Sequence, residues 1–173
     1  MTALDLRSKI REVQDFPTPG VGFKDVTPLL ADANALRQAI SDLAGWVRAK
    51  DADLVLGAEA RGFWLGAAIA AEVGVGFVPT RRPGKLPPET ISATYILEYG
   101  ENSLELHPDL IQPGARVVIH DDVLATGGTV EAIAGLVRQL GGEVVGACFI
   151  IELTFLGGRD RLSGIDLHAL IDY

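Results

Sequence analysis

Cysteine is nearly missing: Cys148 is the only one in 173 residues, which excludes an intrachain disulfide. It stands in the apolar run EVVGACFII, so it reads as a buried strand residue rather than a nucleophile. Histidine is almost as scarce. His107, His120 and His168 are scattered, no histidine metal cluster is expected, and His120 reads as a strand neighbour rather than a catalyst. Basic charge is in deficit, with 15 Lys and Arg against 23 Asp and Glu and a net charge of −8. That excludes broad, nonspecific binding to nucleic acid or anionic lipid. It leaves room for local phosphate binding by backbone N–H groups and a few placed basic residues. No apolar run is long enough to cross a bilayer: GFWLGAAIAA stops at Glu72, well short of the roughly 20 residues needed. The opening MTALDLRSKI is charged and lacks the apolar core of a signal peptide. The expectation is a soluble cytoplasmic protein with neither a nucleic-acid nor a membrane partner. Two nucleotide motifs are also missing. No Gly-Lys-Ser/Thr follows a glycine loop, and GVGFVP at 74–79 lacks a third glycine and leads into a strand.

What is present is a chain that is 48% apolar, enough for one globular domain over residues 1–173. Leu6, Ile10 and Val13 fall at helical spacing, and Pro17 and Pro19 end that predicted helix. Residues 14–30, rich in Pro and Gly, read as a structured loop region. Asp32 or Asn34 can cap a second helix with Leu36, Ile40, Leu43 and Val47 inward. Strands follow at 53–57 and 75–80, separated by a helix over 61–74 that is apolar nearly all round and so is covered on two sides, by the core and by a partner. Residues 81–88, RRPGKLPP, form a proline-stiffened basic loop; on composition alone this is simply a solvated loop. A hairpin over 90–107 is predicted, turning at Gly100, Glu101 and Asn102. A strand from Arg116, a helix over 129–140 stopped by Gly141-Gly142, and strands at 143–151 and 166–171 complete the pattern. Strands alternating with helices imply an α/β sheet, mostly parallel, with an extra hairpin.

The stretch VVIHDDVLATGGTV at 117–130 carries the most chemistry. Ligands of open α/β sheets bind beyond the carboxyl ends of the strands, and Asp121 and Asp122 stand at such an end. Thr126, Gly127, Gly128 and Thr129 then lead into a helix, whose first N–H groups lack internal partners. Two glycines let several N–H groups converge, and two threonines add hydroxyls: a phosphate cradle without a lysine. Two adjacent carboxylates can accept from vicinal ribose hydroxyls and stabilise positive charge growing on the ring.

That stretch resembles the phosphoribosyl pyrophosphate signature of the type I phosphoribosyltransferases. Three further stretches resemble the adenine-specific branch of that family: DFPTPGVGFKDVTPLL at 15–30, GAEARGF at 57–63 together with RRPGKLP at 81–87, and YILEYG at 95–100. The resemblance runs from about residue 10 to about 160 with the motifs in order. It implies a central, mostly parallel sheet flanked by helices, a small hood built from about 1–30, and a flexible hairpin loop. It also implies an activity: ribose 5-phosphate moves from phosphoribosyl pyrophosphate to adenine, with Mg2+ carried mainly by the substrate, giving AMP and pyrophosphate in purine salvage. Ala125, Thr126, Gly127, Gly128 and Thr129 would hold the 5′-phosphate, with Asp121 and Asp122 facing the ribose. Glu59, Ala60, Arg61 and Gly62, with a cis peptide at Glu59-Ala60, would bind pyrophosphate beside Arg81, Arg82 and Lys85 of a closing loop. Glu98 would help move a proton at the imidazole edge of adenine. Phe23 would stack on the base, the backbone at Gly22 and Lys24 would read its amino edge, and Leu156 would close the other face. A homodimer is expected from the family.

The sequence departs from that pattern at Lys24, where many relatives carry arginine, and at His120, where an aliphatic residue is usual. It ends at Tyr173, so contacts made by a longer tail in relatives are not expected. Two alternatives stay open at this level. A non-catalytic sensor of phosphoribosyl pyrophosphate can carry the same signature, though such sensors need a nucleic-acid-binding element that this acidic chain lacks. A different acceptor base is the other, and residues 15–30 argue against it.

Overall fold

In the computed structural model, which describes residues 4–97 and 100–173 apart from the side chains of 96, 97, 100 and 101, the chain opens differently from the helix that its spacing predicts. Residues Leu6–Lys9 make a single 3-10 turn, with the Asp5 carboxylate accepting from Arg7 N–H at 3.1 Å. The chain then extends as β1 (Arg11–Val13), antiparallel to β2 (Phe23–Asp25). Helical spacing lost here to a ladder whose other half lies some twelve residues on. Asp25 pins that ribbon: its Oδ2 accepts from Arg11 Nε at 3.0 Å and its Oδ1 from Thr27 N–H at 2.9 Å. Residues 14–30 therefore hold more than loop, namely β2 and the start of α1 (Thr27–Ala31), with Pro28 in its first turn where no N–H is missed.

The cap of α2 (Ala33–Arg48) is Asp32 and not Asn34, its Oδ1 accepting from Asn34 N–H at 2.9 Å and Ala35 N–H at 3.1 Å. The next elements are β3 (Leu54–Ala58), α3 (Gly62–Val73) and β4 (Gly76–Thr80). A hairpin of β5 (Ile91–Leu97) and β6 (Gly100–Leu106) follows; its register pairs Leu97 with Gly100, so 100–102 belong to the strand and not to the turn. Then come β7 (Arg116–Leu124), α4 (Gly128–Gln139), β8 (Glu143–Glu152), the short α5 (Gly158–Arg161) and β9 (Leu167–Asp172).

Five strands form the central sheet in the order β4-β3-β7-β8-β9, all parallel. Both faces are covered, as a parallel sheet requires. Val118 and Ile150 face a core shared with Leu43 and Val47 of α2 and Leu65 and Ile69 of α3. Ile119 and Phe149 face the opposite core, shared with Ile133 and Val137 of α4 and with Leu104 of the hairpin. The period of two along β7 thus divides its side chains between two apolar layers and leaves its carboxyl end at their common edge. Among the described residues, no helix is long and apolar enough to cross a membrane.

Candidate active site

Asp121 and Asp122 close the carboxyl end of β7. Asp122 is buried, with 2% of its surface exposed, and Asp121 is half-buried. The Asp122 N–H donates to Asp121 Oδ1 at 2.9 Å, which fixes the Asp121 carboxylate against the backbone of its neighbour. Burial, then the neighbouring Asp122 charge, raises the Asp121 carboxyl well above the usual carboxylate range. Burial also raises Asp122, opposed chiefly by the Arg61 guanidinium. Arg61 Nε lies 2.9 Å from Asp122 Oδ2. Among the described residues that oxygen is nonetheless buried without a hydrogen-bond partner, so the contact is ionic and the lone pair is left for another donor. Among the described residues no group of three or more His, Cys, Asp or Glu could cage a metal by itself. A hard cation held by one or two carboxylates and by substrate phosphate fits this donor set.

Arg61 is brought there by the turn between β3 and α3. The Glu59-Ala60 peptide is cis. Gly62 allows the turn to press on β7: a Cβ there would meet His120 O at 2.7 Å and Asp121 Oδ1 at 3.2 Å. Glu59 Oε2 accepts from Arg82 N–H at 2.7 Å and from Arg81 Nε at 3.2 Å. Burial raises the Glu59 carboxyl, but the Arg82 N–H and the Arg81 guanidinium outweigh it and the net direction is down. The basic loop is thus tied at its root to the turn it faces, with Gly84 N–H also donating to Glu105 Oε2 at 3.2 Å.

After β7 the chain turns at Gly127, whose φ of +81° is left-handed, and α4 begins at Gly128. A Cβ on Gly127 would stand 2.9 Å from Gly158 O, and one on Gly158 would stand 2.2 Å from Ala125 O. Two glycine backbones thus lie against each other where α5 supports the cradle. Gly128 is not crowded by protein; its nearest neighbours would be Arg161 Nη1 and Tyr95 Cδ2 at 3.5 Å.

These pieces surround one cavity of about 390 Å³. One side is Val21–Lys24 of the N-terminal ribbon, the opposite side Glu59–Arg61 and Arg82, the floor Asp121–Val123, and the far end Ala125 and Thr129. Phe23 meets Phe16 edge-on at 5.1 Å, and the Arg61 guanidinium lies over the Phe23 ring at 5.3 Å. Not every expected residue lies there. Leu156 does not line the cavity and is 36% exposed; Leu153 takes the place expected of it, because the chain leaves β8 in a 3-10 turn that carries Leu156 outward. Lys85 is exposed and contributes its carbonyl to Arg81 Nη1 at 3.4 Å. Arg81 points to Glu59 rather than lining the cavity, and Thr126, Gly127 and Gly128 form the turn between Ala125 and Thr129, which do line it. Glu98 lies outside the described residues. Tyr95, Val21 and Leu153 line the cavity without having been expected. Tyr95 had one signal, its place in a predicted strand just before Glu98.

Comparison with known proteins agrees with this geometry. A family model described as a phosphoribosyl transferase domain matches residues 29–164. An adenine phosphoribosyltransferase of Desulfitobacterium hafniense is 53% identical over 173 residues, covering all of both chains. One of Clostridium perfringens is 52% identical over 170 residues, 98% of this chain and 99% of that one. Among solved structures, the adenine phosphoribosyltransferase of Thermoanaerobacter pseudethanolicus superposes with a TM-score of 0.95 at 52% identity, covering 98% of each chain. The Saccharomyces cerevisiae enzyme, solved with adenine and an imino-altritol bisphosphate, superposes at 0.89 with 35% identity, covering 96% of each.

Proposed function

The chain belongs to the phosphoribosyltransferase family, in its adenine-specific branch, and from that membership we propose how the cavity carries out the transfer of ribose 5-phosphate from phosphoribosyl pyrophosphate to adenine. The observation that carries the proposal is the single cavity that hood, acids, cradle and pyrophosphate turn all border. In this reading the free N–H groups at the start of α4 hold the 5′-phosphate at Ala125 and Thr129. Asp121 and Asp122 accept from the ribose hydroxyls. The turn at Glu59–Arg61 and the Arg82 cation hold the pyrophosphate. Mg2+ brought by the substrate would supply charge neutralisation at the pyrophosphate, with Asp121 and Asp122 the carboxylates available to hold it. Phe23 packs on the base opposite Leu153, and the backbone of residues 22–24 reads its amino edge.

In the reaction, adenine N9 forms its bond to ribose C1′ while the bond from C1′ to the pyrophosphate oxygen breaks, and the pyrophosphate keeps the electron pair. Positive charge grows on the ring between those events. Two acids already held in place, Asp121 by the Asp122 N–H and Asp122 beside Arg61, stabilise it without reorganising, which is where preorganised electrostatics is most effective. The N9 proton leaves toward a base, and Glu98 is the residue that the family resemblance offers. The whole chain acts as one catalytic unit, in the cytoplasm and as a homodimer. The dimer rests on the apolar α3 and on Trp64 and Phe16, which are 46% and 51% exposed beside an apolar hollow of about 350 Å³.

The test is a panel of adenine, hypoxanthine, guanine and orotate with phosphoribosyl pyrophosphate and Mg2+, scored for nucleotide. Adenine should be preferred by roughly 10⁴-fold in kcat/KM, since a site built on hydrogen bonds leaves its own groups unpaired with the wrong base. Comparable turnover of hypoxanthine would leave only the broader phosphoribosyltransferase reading.

A further inference from the structure

Tyr173 touches both walls of the base end of the cavity. Its backbone holds the far wall: Tyr173 N–H donates to Glu152 O at 2.8 Å, and its carbonyl accepts from Thr154 N–H at 2.9 Å and Thr154 Oγ1 at 2.6 Å. These bonds bracket Leu153, which lines the cavity. Its ring holds the hood. Lys24 Nζ lies 4.2 Å from the ring centroid and the Arg7 guanidinium carbon 4.6 Å, both within cation–π range. Lys24 also lines the cavity. Its side chain is only 11% exposed, and its Nζ is 3.0 Å from Glu12 Oε2, directly across the β1–β2 ladder. The hood ribbon is short, at three residues a strand, and two-stranded ribbons of that size do not hold their own position. Something outside the ribbon must set its distance from the sheet.

We propose that Tyr173 is a positioning residue for the acceptor base: through the Lys24 ammonium it fixes β2, and through its backbone it fixes Leu153, so it sets the width of the slot between them. This rests on the assignment of that slot to adenine. It also gives Lys24 a use apart from any contact with the base, since its cation is the handle by which the ring holds the strand. Tyr173 is held by Glu152, Thr154, Lys24 and Arg7 and is not among the residues that line the cavity at the acids or the cradle, so its loss acts on one substrate and not on the other.

The experiment measures steady-state kinetics with each substrate varied in turn, on the wild type, Tyr173→Ala and Tyr173→Phe, with a melting curve for each. Tyr173→Ala should raise the KM for adenine about tenfold, the loss of one partly desolvated cation–π contact together with its packing. The KM for phosphoribosyl pyrophosphate should stay within about twofold, and Tyr173→Phe, which keeps the ring, should restore the adenine KM. An unchanged adenine KM in Tyr173→Ala overturns the proposal. So does a parallel rise in both KM values with a lowered Tm, which is general loosening, or a failure of Phe to rescue. A wild type that does not turn over adenine at all overturns the assignment of the slot itself, an outcome distinct from the others.

Discussion

Arg61 Nε stands 2.9 Å from Asp122 Oδ2, yet among the described residues that buried oxygen has no hydrogen bond. The pair is therefore a charge contact between the turn proposed for pyrophosphate and the acids proposed for ribose. It couples two halves of one substrate before the substrate arrives. The guanidinium lowers both acids, opposing the burial that raises them. Replacing it with a neutral side chain should let both pKa values rise further. Arg61→Gln should thus move the acid limb of kcat/KM for phosphoribosyl pyrophosphate to higher pH, and should raise that KM on the order of tenfold through the lost charge-assisted contact. An acid limb that stays in place would mean that these acids do not govern it.

Asp121 illustrates function opposing stability. Its carboxyl is raised by burial and by the Asp122 charge, so the fold disfavours the charged form that the proposed chemistry uses. A neutral isostere removes that cost. Asp121→Asn should raise Tm at pH 7.5 while lowering kcat on the order of 10²-fold, with a smaller change in the KM for phosphoribosyl pyrophosphate, because charge on the ring exists only in the transition state. Calorimetric melting and initial rates on the same preparation decide this; a variant with full kcat removes Asp121 from the chemistry.

The two cradle glycines should fail differently. Gly127 needs its left-handed φ, and a Cβ there would strike Gly158 O at 2.9 Å. Gly127→Ala should therefore destabilise the fold, by about 1–2 kcal/mol for the backbone alone and further for the contact, and lower Tm accordingly. Gly128 has only ordinary contacts around its missing Cβ, so Gly128→Val should fold, with Tm within a few degrees, and lose phosphoribosyl pyrophosphate binding in titration calorimetry. Tight binding by folded Gly128→Val would contradict the placement of the phosphate.

The sequence made the cradle legible because everything that builds it is contiguous: a period of two, two acids, a left-handed glycine, then a period of 3.6. The α/β alternation was legible for the same reason, and a mostly parallel sheet followed from it; that all five central strands run parallel is seen only in the structure. Long-range placement was not. Leu6, Ile10 and Val13 have helical spacing, but Arg11–Val13 pairs with Phe23–Asp25, and no local pattern announces that ladder. Leu156 and Leu153 are equivalent by residue type, and only the 3-10 turn at Thr154–Leu156 decides which one faces the cavity. The Arg61–Asp122 contact joins residues 61 positions apart, and Gly62 permits it for a reason, contact with His120 O, that appears only once the turn and β7 are side by side.

His120 is the strand neighbour that the sequence suggests, and it has a price in acid. It is fully buried on β7; its Nδ1 is 3.0 Å from Cys148 O, and its Nε2 has no partner among the described residues. A carbonyl only accepts, so Nδ1 carries the proton and Nε2 presents a lone pair to an apolar interior. Burial pulls the imidazole down from 6.5 to about 4, against the Cys148 carbonyl, which raises it. The folded pKa is below the unfolded one, so the unfolded chain takes up this proton first. Stability should fall as the pH drops through 6.5 toward 4 and level off below, by about 3 kcal/mol in all if this group acted alone. Raised acids such as Asp121 work in the opposite direction over part of that window, so the wild-type curve alone does not isolate it. The comparison with His120→Leu does, because every group common to both cancels. The variant keeps a similar volume and removes the unpaired Nε2, so its Tm should match or exceed the wild type at pH 7.5 and exceed it by a widening margin down to pH 4.5. A constant difference in Tm across that range would show that His120 does not change its charge state on unfolding.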